Sequence, residues 1–290
     1  LGVLAGLEIV RTLNDLNIQT KHPILIVNWT NEEGSRFPPA MMASAGYAGI
    51  YEVNTLLSAK DAEGKVFGNE LDKIGWKGSE PVGAQKFQCY YELHIEQGPI
   101  LETEEIDIGI VTHGQGLKWL EVKLTGKEQH TGTTPMHVRK DTSLAMSEII
   151  LAVNTIANQN QPNALGTVGH IEVSPNSRNV IAGETLFTVD IRSPDINKLN
   201  KMEKELKSTA NKICLKYNVQ INIEQIGGFD PVEFNKECLH HLRSNAEKFG
   251  YSHKDIVSGA GHDACWINTI VPSAMIMCPC VDGLSHNEAE

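Results

Sequence analysis

Two adjacent carboxylates and two separated histidines are the side chains of this chain that could do chemistry together. Glu32 and Glu33 follow the apolar run ILIV in the stretch NWTNEEGSRFPP. His94 lies between apolar residues in ELHIEQG, and His286 follows another apolar segment in GLSHNE. Carboxylates and imidazoles are ligands that zinc and manganese accept, and a second carboxylate beside a ligand can take a proton from water as a general base. The pattern favours a metal-dependent hydrolytic site; a solvated acidic loop and two core histidines are the alternatives.

The elements around these residues predict a sheet that brings them to one edge. Residues 1–16 have helical apolar spacing, 23–29 (PILIVNW) read as a buried strand, and a helix is expected near 39–48. The segment YYELHIEQG is strand-like, and after Gly227 the chain reads helix and then the buried strand PSAMIMC. This order is typical of a largely parallel sheet wrapped by helices, and ligands bind at the carboxyl ends of such strands.

The middle of the chain has a different organisation. Strand-like alternation and helical periodicity succeed one another there in the order β-α-β-β-α-β, which predicts a small antiparallel sheet backed by two helices. The segments are LKWLEVKLTG, 141–158, GTVGHIEVS, ETLFTVDIRS, 195–217 and VQINIEQI. The predicted fold class is therefore α/β: a split catalytic domain with a mixed, largely parallel sheet flanked by helices, plus an inserted α+β lid or dimerisation domain. We place the catalytic domain at 1–115 and 228–290, and the insert at 116–227.

Composition excludes several classes of protein. The chain has 290 residues, is 41% hydrophobic and carries a formal charge of −11, so phosphate backbones and anionic lipid are poor partners. No apolar run approaches the roughly 18 residues that a membrane-spanning helix needs, and the first residues lack a basic leader. Six scattered cysteines do not form a disulfide framework. We therefore expect neither nucleic-acid nor membrane binding, and a cytoplasmic location.

Several motifs together resemble one known family. NEEGSRF, HIEQGPILE, HTGTTPM, NSRNVIAGETLFTVDIRSPD, GAGHDA and GLSHNEAE occur in this order along the chain. In this respect the chain is similar to the N-carbamoyl-L-amino-acid hydrolase, β-ureidopropionase and allantoate amidohydrolase branch of the two-metal aminoacylase and peptidase clan. HIEQG and HTGTTPM are specific to that branch, whereas EEG belongs to the wider clan. The resemblance implies hydrolysis of the ureido C–N bond of an N-carbamoyl amino acid or allantoate, with release of ammonia and carbon dioxide.

The resemblance also implies roles for individual residues. Glu32 resembles the general base, and His130 resembles a histidine that reaches a neighbouring active site to stabilise the oxyanion, which implies a homodimer. The residues that resemble metal ligands are Glu33, His94 and His286. The residues that resemble substrate-binding positions are Gln97, Asn179, Arg192, Gly259 and His262. Asn179 and Arg192 would grip the substrate carboxylate, for which the planar guanidinium is suited.

One departure from the family pattern concerns the metal site. The family also uses an upstream histidine and a metal-bridging aspartate, in an Asp-Gly that stands just before a helix resembling LGVLAGLE. Leu1 falls directly after that point. On this interpretation the chain carries part of the metal site, and we expect it to hold two metals poorly or not at all and to be inactive by itself.

Alternatives remain open at this level. An aminoacylase or dipeptidase of the same clan and a non-catalytic dimeric scaffold are the two other interpretations. Carbamoyl-β-alanine, carbamoyl-α-amino acids and allantoate all present a ureido group and a carboxylate, so these residues do not choose among them. Two divalent ions per site are implied, and carboxylate and imidazole ligands accept zinc, manganese, cobalt or nickel.

Overall fold

The protein, a computed structural model that describes residues 1–288, consists of two compact units. The last two residues of the GLSHNEAE motif lie outside the described range. Unit 1 is formed by Leu1–Gly114 together with the chain from Glu233 onwards, and unit 2 is Gln115–Val232. The sequence predicts divisions after residues 115 and 227, whereas the units divide after Gly114 and Val232. The roles of these units as catalytic and lid domains stay predictions.

The helices of the described range are mostly short in unit 1 and long in unit 2. They are α1 (Gly2–Asp15), α2 (Met42–Ala48), α3 (Val53–Leu57), α4 (Phe67–Ile74), α5 (Ile100–Thr103), α6 (Thr142–Gln159), α7 (Ile196–Tyr217), α8 (Lys236–Phe249) and α9 (Asp263–Ile267). Single 3₁₀ turns occur at Met136–Val138 and Val281–Gly283. None of these helices is both long and apolar enough to cross a membrane.

The strands form one sheet in each unit and a short ribbon. They are β1 (Tyr90–Ile95), β2 (Ile108–Gly114), β3 (Gly116–Thr125), β4 (Gln129–His130), β5 (Leu165–Ser174), β6 (Val180–Ile181), β7 (Glu184–Ser193), β8 (Gln220–Phe229), β9 (Val232–Glu233), β10 (His253–Ser258) and β11 (Ser273–Cys278). In unit 1 the order is β1-β11-β2-β10. The pairs β1–β11 and β2–β10 are parallel, while β11–β2 is antiparallel. This mixed sheet flanked by helices confirms the predicted α/β class.

Unit 2 is a four-stranded antiparallel sheet in the order β5-β7-β3-β8 with α6 and α7 against it. Along β7, alternate side chains such as Phe187, Val189 and Ile191 are buried, while the intervening ones point to the other face. Helices α6 and α7 are capped by the preceding residues Asp141 and Asp195, whose side chains accept hydrogen bonds from the first turn of each helix. Each fully buried apolar side chain of this core contributes roughly 1.5–3 kcal/mol relative to an exposed position.

The predicted buried strand at residues 23–29 is wrong. No strand is formed there in the described residues, and the four side chains of its ILIV run, at 24–27, are 37–48% exposed. The apolar, β-branched sequence favours an extended backbone, but a strand also needs a neighbouring strand for its ladder of hydrogen bonds. This segment is held instead by side chains: Ile26 contacts Gly6 of α1, and the Trp29 indole donates to the Tyr90 hydroxyl at 3.1 Å.

Candidate functional site

The two adjacent glutamates lie in a tight loop whose shape depends on its neighbours. Asn31 has a left-handed backbone (φ 58°), and its side-chain amide donates to the carbonyl of Phe37 at 2.7 Å. Gly34 is also left-handed (φ 68°), and a Cβ there would lie 2.5 Å from a backbone nitrogen across the loop. Only glycine fits that position without strain. The loop leaves Glu32 half-buried and Glu33 exposed.

Glu32 lies among charged groups from three other parts of unit 1. Burial raises its pKa above the usual value, and the negative charges of Asp263 and Glu33 raise it further. His94 and His286 act in the opposite direction and lower it. The structure therefore places the three predicted metal ligands within electrostatic range of the predicted base. A carboxylate with a raised pKa is a stronger proton acceptor, which suits a general base.

The three predicted metal ligands are only partly assembled. The Glu33 Oε1 and His286 Nε2 atoms are 3.6 Å apart on an exposed surface. The Nδ1 atom of His94 lies 2.8 Å from the Ile95 carbonyl oxygen, so Nε2 is the ring nitrogen suited to a ligand. The chemistry of these donors suits a divalent transition metal, but residues 1–288 contain no group of three His, Cys, Asp or Glu placed to hold a metal ion. The donor set therefore fits in kind and is incomplete in geometry.

His262 is a buried support for His94. Its side chain is 2% exposed, and the two imidazole rings meet edge to face with centroids 4.8 Å apart. The Ser258 Oγ atom lies 2.6 Å from His262 Nε2, and a Glu92 oxygen lies 3.8 Å from Nδ1. Burial, and next the charge of His94, lower the pKa of His262 to about 3, so this ring is neutral at physiological pH. Direct contact of His262 with substrate stays a prediction.

The partly buried Glu92 and the buried Asp263 were not predicted from the sequence. Glu92 accepts hydrogen bonds from the Tyr90 hydroxyl and the Ala264 N–H, both at 2.9 Å. The Ser44 hydroxyl donates to Asp263. Burial raises the pKa of each carboxyl to about 7. Both lie inside motifs that the sequence singles out, ELHIEQG and GAGHDA, and an acid embedded among apolar residues was the signal that could have found them.

Two further predicted residues lie in turns of unit 1. Gln97 has a left-handed backbone (φ 58°), and its amide donates to the Ser285 hydroxyl at 2.7 Å, which connects the HIEQG and GLSHNE motifs. Its Oε1 atom is buried without a hydrogen-bond partner among the described residues. Gly259 lies in the turn after β10, where the Ala260 N–H donates to the Ser258 hydroxyl at 3.2 Å. The Gln97 oxygen is therefore the polar atom best suited to a ligand here.

His130 and Asn179 are neighbours in unit 2. Strand β4 pairs with β6, so that His130 lies opposite Val180, and the Thr131 N–H donates to the Asn179 carbonyl at 3.1 Å. The Gly132 N–H donates to His130 Nδ1 at 3.1 Å. A neutral imidazole whose Nδ1 accepts must carry its proton on Nε2. His130 therefore presents an Nε2–H donor from an exposed position.

Arg192 is held by two residues that were not predicted. Its Nε and Nη2 atoms donate to the Asp190 carboxylate at 2.6–3.1 Å, and the Trp119 indole donates to the same carboxylate at 3.0 Å. Trp119 lies directly opposite Asp190 in the β3–β7 ladder. Gly227 makes room for the indole, because a Cβ there would approach a ring carbon to 2.9 Å. The spacing Asp-x-Arg on a strand was the available signal, since alternate residues share a face.

Comparison with known proteins agrees with the resemblance seen in the sequence. An N-carbamoyl-L-amino-acid amidohydrolase from Rhizobium meliloti is 58% identical over 290 residues, which are 100% of this chain and 70% of that protein. An allantoate amidohydrolase from Escherichia coli is 34% identical over 268 residues, covering 91% of this chain and 65% of its own length. A crystal structure of an amidase of the hydantoinase/carbamoylase family from Burkholderia multivorans has a TM-score of 0.97 and 49% identity, over 99% of this chain and 70% of that one.

The model of peptidase family M20/M25/M40 matches residues 1–290. The predicted family resemblance is thereby confirmed. The chain belongs to peptidase family M20/M25/M40.

Proposed function

We propose that this protein hydrolyses the ureido C–N bond of an N-carbamoyl-L-amino acid, releasing ammonia and carbon dioxide with the amino acid. The observation that carries the proposal is the half-buried Glu32, whose pKa is raised and which lies among Glu33, His94 and His286. The relative at 58% identity, named for N-carbamoyl-L-amino acids, favours these substrates over allantoate, whose named hydrolase is 34% identical.

Glu32 has the role of general base. Its carboxylate accepts a proton from the water molecule that attacks the ureido carbon, and the same group can then return the proton to the departing nitrogen. Because Glu32 is partly shielded from solvent and faces negative charge, its carboxylate holds a proton more tightly than a fully exposed one would.

His130 has the role of oxyanion donor. The attack turns the ureido carbonyl oxygen into an oxyanion, which a hydrogen-bond donor held in place stabilises. His130 meets this requirement because Gly132 occupies Nδ1 and leaves the proton on Nε2. Removal of a donor of this kind costs about 100- to 1,000-fold in turnover.

Arg192 and Asn179 have the role of binding the substrate carboxylate. Asp190 engages the Nε–Nη2 edge of the guanidinium and fixes the plane that the group would present to a substrate carboxylate. Trp119 fixes Asp190 in turn. The arrangement orients the planar fork before substrate arrives, which lowers the entropy lost on binding.

Glu33, His94 and His286 are proposed metal ligands. Hydrolases of the M20 family are generally dinuclear metal enzymes, and a bound divalent ion supplies Lewis acidity and favours ionisation of water. Zinc, manganese, cobalt and nickel all suit carboxylate and imidazole donors. Among the described residues, no three such ligands are placed to hold an ion.

Substitution of the proposed base tests the function. Glu32→Gln in the full-length protein, assayed against carbamoyl-α-amino acids, carbamoyl-β-alanine and allantoate with each metal restored, should lose at least about 100-fold in turnover while keeping its metal content. Glu63→Gln is the matched control, because Glu63 is an exposed glutamate that pairs with Lys65. Retained turnover in Glu32→Gln would remove Glu32 from the base role, and faster hydrolysis of N-acetyl amino acids or dipeptides would contradict the ureido substrate.

We also propose a homodimer that shares its sites. Glu32 belongs to unit 1 and His130 to unit 2, and the family resemblance implies that His130 of one subunit serves the site of the other. Neither Glu32→Gln nor His130→Ala homodimers should then turn over substrate. Heterodimers of the two variants should recover activity, at best about one quarter of the sites after random exchange. Absence of recovery in a sample whose mass shows heterodimers would refute the shared site.

The cytoplasmic location also stays a proposal. All six cysteines are free, including the buried Cys214, Cys238 and Cys265. Free thiols persist in reducing compartments, which supports this location.

A further inference from the structure

The turn that carries His130 gets little of its shape from packing. Gly132, Met136 and Val138 are exposed, and among the described residues the buried core cluster of unit 2 contains no side chain from 130–139. A turn without buried side chains is specified by its hydrogen bonds, and such regions ordinarily fluctuate more than the core. The orientation of His130 must therefore depend on polar contacts inside the turn.

One side chain supplies two of those contacts. The half-buried Arg139 folds back over the turn, where its Nη2 atom donates to the Thr131 carbonyl at 2.6 Å and its Nε atom to the Thr134 carbonyl at 3.0 Å. Hydrogen bonds from a charged donor are stronger than neutral ones. The Thr134 N–H also donates to the His130 carbonyl at 3.2 Å, so the guanidinium closes a turn that begins at His130 itself.

The closed turn places one backbone donor against the imidazole. Gly132 lies between the two carbonyls that Arg139 binds, and its N–H is the donor 3.1 Å from His130 Nδ1. A Cβ at Gly132 would lie only 3.2 Å from the ring, so the approach is close and tolerates little displacement. If the carbonyls on either side move, this hydrogen bond is lost, and the neutral ring can then carry its proton on either nitrogen.

We propose that Arg139 is a positioning residue for His130: by binding the carbonyls of Thr131 and Thr134, it holds the Gly132 N–H on Nδ1 and so keeps the ring proton on Nε2. Its catalytic consequence rests on the proposed function, in which that Nε2–H donates to the oxyanion. The position of the ring proton does not rest on the proposed function, because it follows from contacts within the turn alone.

Arginine is suited to this role and lysine is not. The two carbonyls are bound by different nitrogens of one planar group, whereas the lysine ammonium is a single point charge on a flexible stem. Arg139→Lys keeps the positive charge but loses the two-pronged contact. Arg139→Gln loses the charge as well. If the role depends on charge alone, Arg139→Lys should behave like the wild type and Arg139→Gln should not. If it depends on the two-pronged contact, both variants should show a similar loss.

The first readout is spectroscopic and needs no substrate. In ¹⁵N-labelled full-length protein at about pH 8.5, where histidine side chains are ordinarily neutral, two-bond ¹H–¹⁵N correlations distinguish Nδ1 from Nε2 protonation. The His130 signals are those missing from His130→Ala. We expect the Nε2–H form to dominate in the wild type, and its ratio to the Nδ1–H form to fall about tenfold in both Arg139 variants, the ratio that one hydrogen bond supplies.

The second readout is kinetic. Both Arg139 variants should lower kcat by about 10- to 100-fold, because a displaced donor stabilises the transition state less, with KM within about a factor of two. Arg243→Lys and Arg243→Gln are the matched controls, since Arg243 makes a similar two-pronged pair with Asp255 in unit 1. Circular dichroism and the urea midpoint verify that each variant is folded.

The two readouts separate the two hypotheses. A changed proton position with lowered kcat supports both the positioning role and the function of His130. A changed proton position with unchanged kcat supports the positioning role and counts against His130 as oxyanion donor. An unchanged proton position in folded Arg139→Gln and Arg139→Lys refutes the positioning role, whatever the kinetics, and so does a wild type protonated mainly on Nδ1.

Discussion

The buried carboxyl of Asp263 should make unit 1 less stable as pH rises. Asp263 is 5% exposed, and burial, together with the charge of Glu92, raises its pKa from 3.8 to about 7, although the hydrogen bond from Ser44 acts against this shift. Asp263 also raises the pKa of Glu32. A carboxyl that binds its proton more tightly when folded stabilises the protein below about pH 4. This contribution is lost as pH rises through about 7.

The size of the effect follows from the shift. About three pKa units at 1.36 kcal/mol each give at most about 4 kcal/mol between the acidic limit and pH 8. Asp263→Asn removes the titration and keeps an oxygen that can accept from Ser44, although an amide oxygen accepts less strongly by about 1 kcal/mol. We therefore expect the variant to be more stable than the wild type by about 3 kcal/mol at pH 8, with the difference falling below about 1 kcal/mol at pH 5.

The assay must report on unit 1 alone, because a chain with two compact units need not unfold in one step. Trp119 is the tryptophan of unit 2, so in a Trp119→Phe background fluorescence reports on Trp29, Trp76 and Trp266 of unit 1. Urea unfolding in a chelating buffer at pH 5, 6, 7 and 8 gives the free energy of unfolding of unit 1 in each protein.

The control has the opposite sign and a different pH range. The Ser252 hydroxyl and N–H lower the pKa of the exposed Asp107, so this carboxylate stabilises the protein above about pH 4, and the contribution is lost as pH falls further. Asp107→Asn removes this contribution. Its difference from the wild type should be constant from pH 5 to 8. If the free energy of unfolding of Asp263→Asn also differs from that of the wild type by a constant amount from pH 5 to 8, the pKa of Asp263 is not raised on folding.

Three further predictions concern other parts of the molecule. Arg192→Lys should raise KM by about tenfold for ureido acids with a free carboxylate and leave the corresponding amides unchanged, because a point charge does not replace a planar fork held by Asp190; equal effects on both would contradict carboxylate binding. Gly34→Ala should lower the free energy of unfolding by about 1–3 kcal/mol, since alanine is strained at φ 68°, and an unchanged urea midpoint would show that the loop adapts. Leu25→Ala should lower it by about 1 kcal/mol or less because the side chain is half exposed, whereas the 2–5 kcal/mol of a buried leucine would restore the buried-strand interpretation.

The sequence predicts unit 2 well because its signals are local. The alternation of ETLFTVDIRS corresponds to β7, and the predicted helix at 141–158 is α6, Thr142–Gln159, which begins after the capping side chain of Asp141. In both cases the residues that decide the structure are neighbours along the chain, so period and capping residue suffice. The predicted boundaries of these two elements accordingly differ from the observed ones by at most one residue.

The segment at residues 23–29 shows the limit of that reasoning. Its run of isoleucine, leucine and valine favours an extended chain, yet the described residues give it no neighbouring strand. Strand formation is a property of two segments, and propensity describes only one of them. Strands β2 (Ile108–Gly114) and β10 (His253–Ser258) were missed because each depends on its partner. The two segments pair although they are more than a hundred residues apart in the sequence.

The same distinction between local signals and long-range contacts applies to the candidate site. The residue types and motif positions of Glu32, Glu33, His94 and His286 are enough to nominate them from the sequence. What suits Glu32 to the proposed role of base is its surroundings, and these come from long-range contacts: Ser44 with Asp263 across 219 residues, and Ala264 with Glu92 across 172. A motif states which groups are present, whereas pKa depends on which groups face one another and how far water is excluded. Substitutions that leave every motif intact but loosen these contacts, such as Ser44→Ala, should therefore alter the acid–base properties of unit 1 without changing any residue that the sequence nominates.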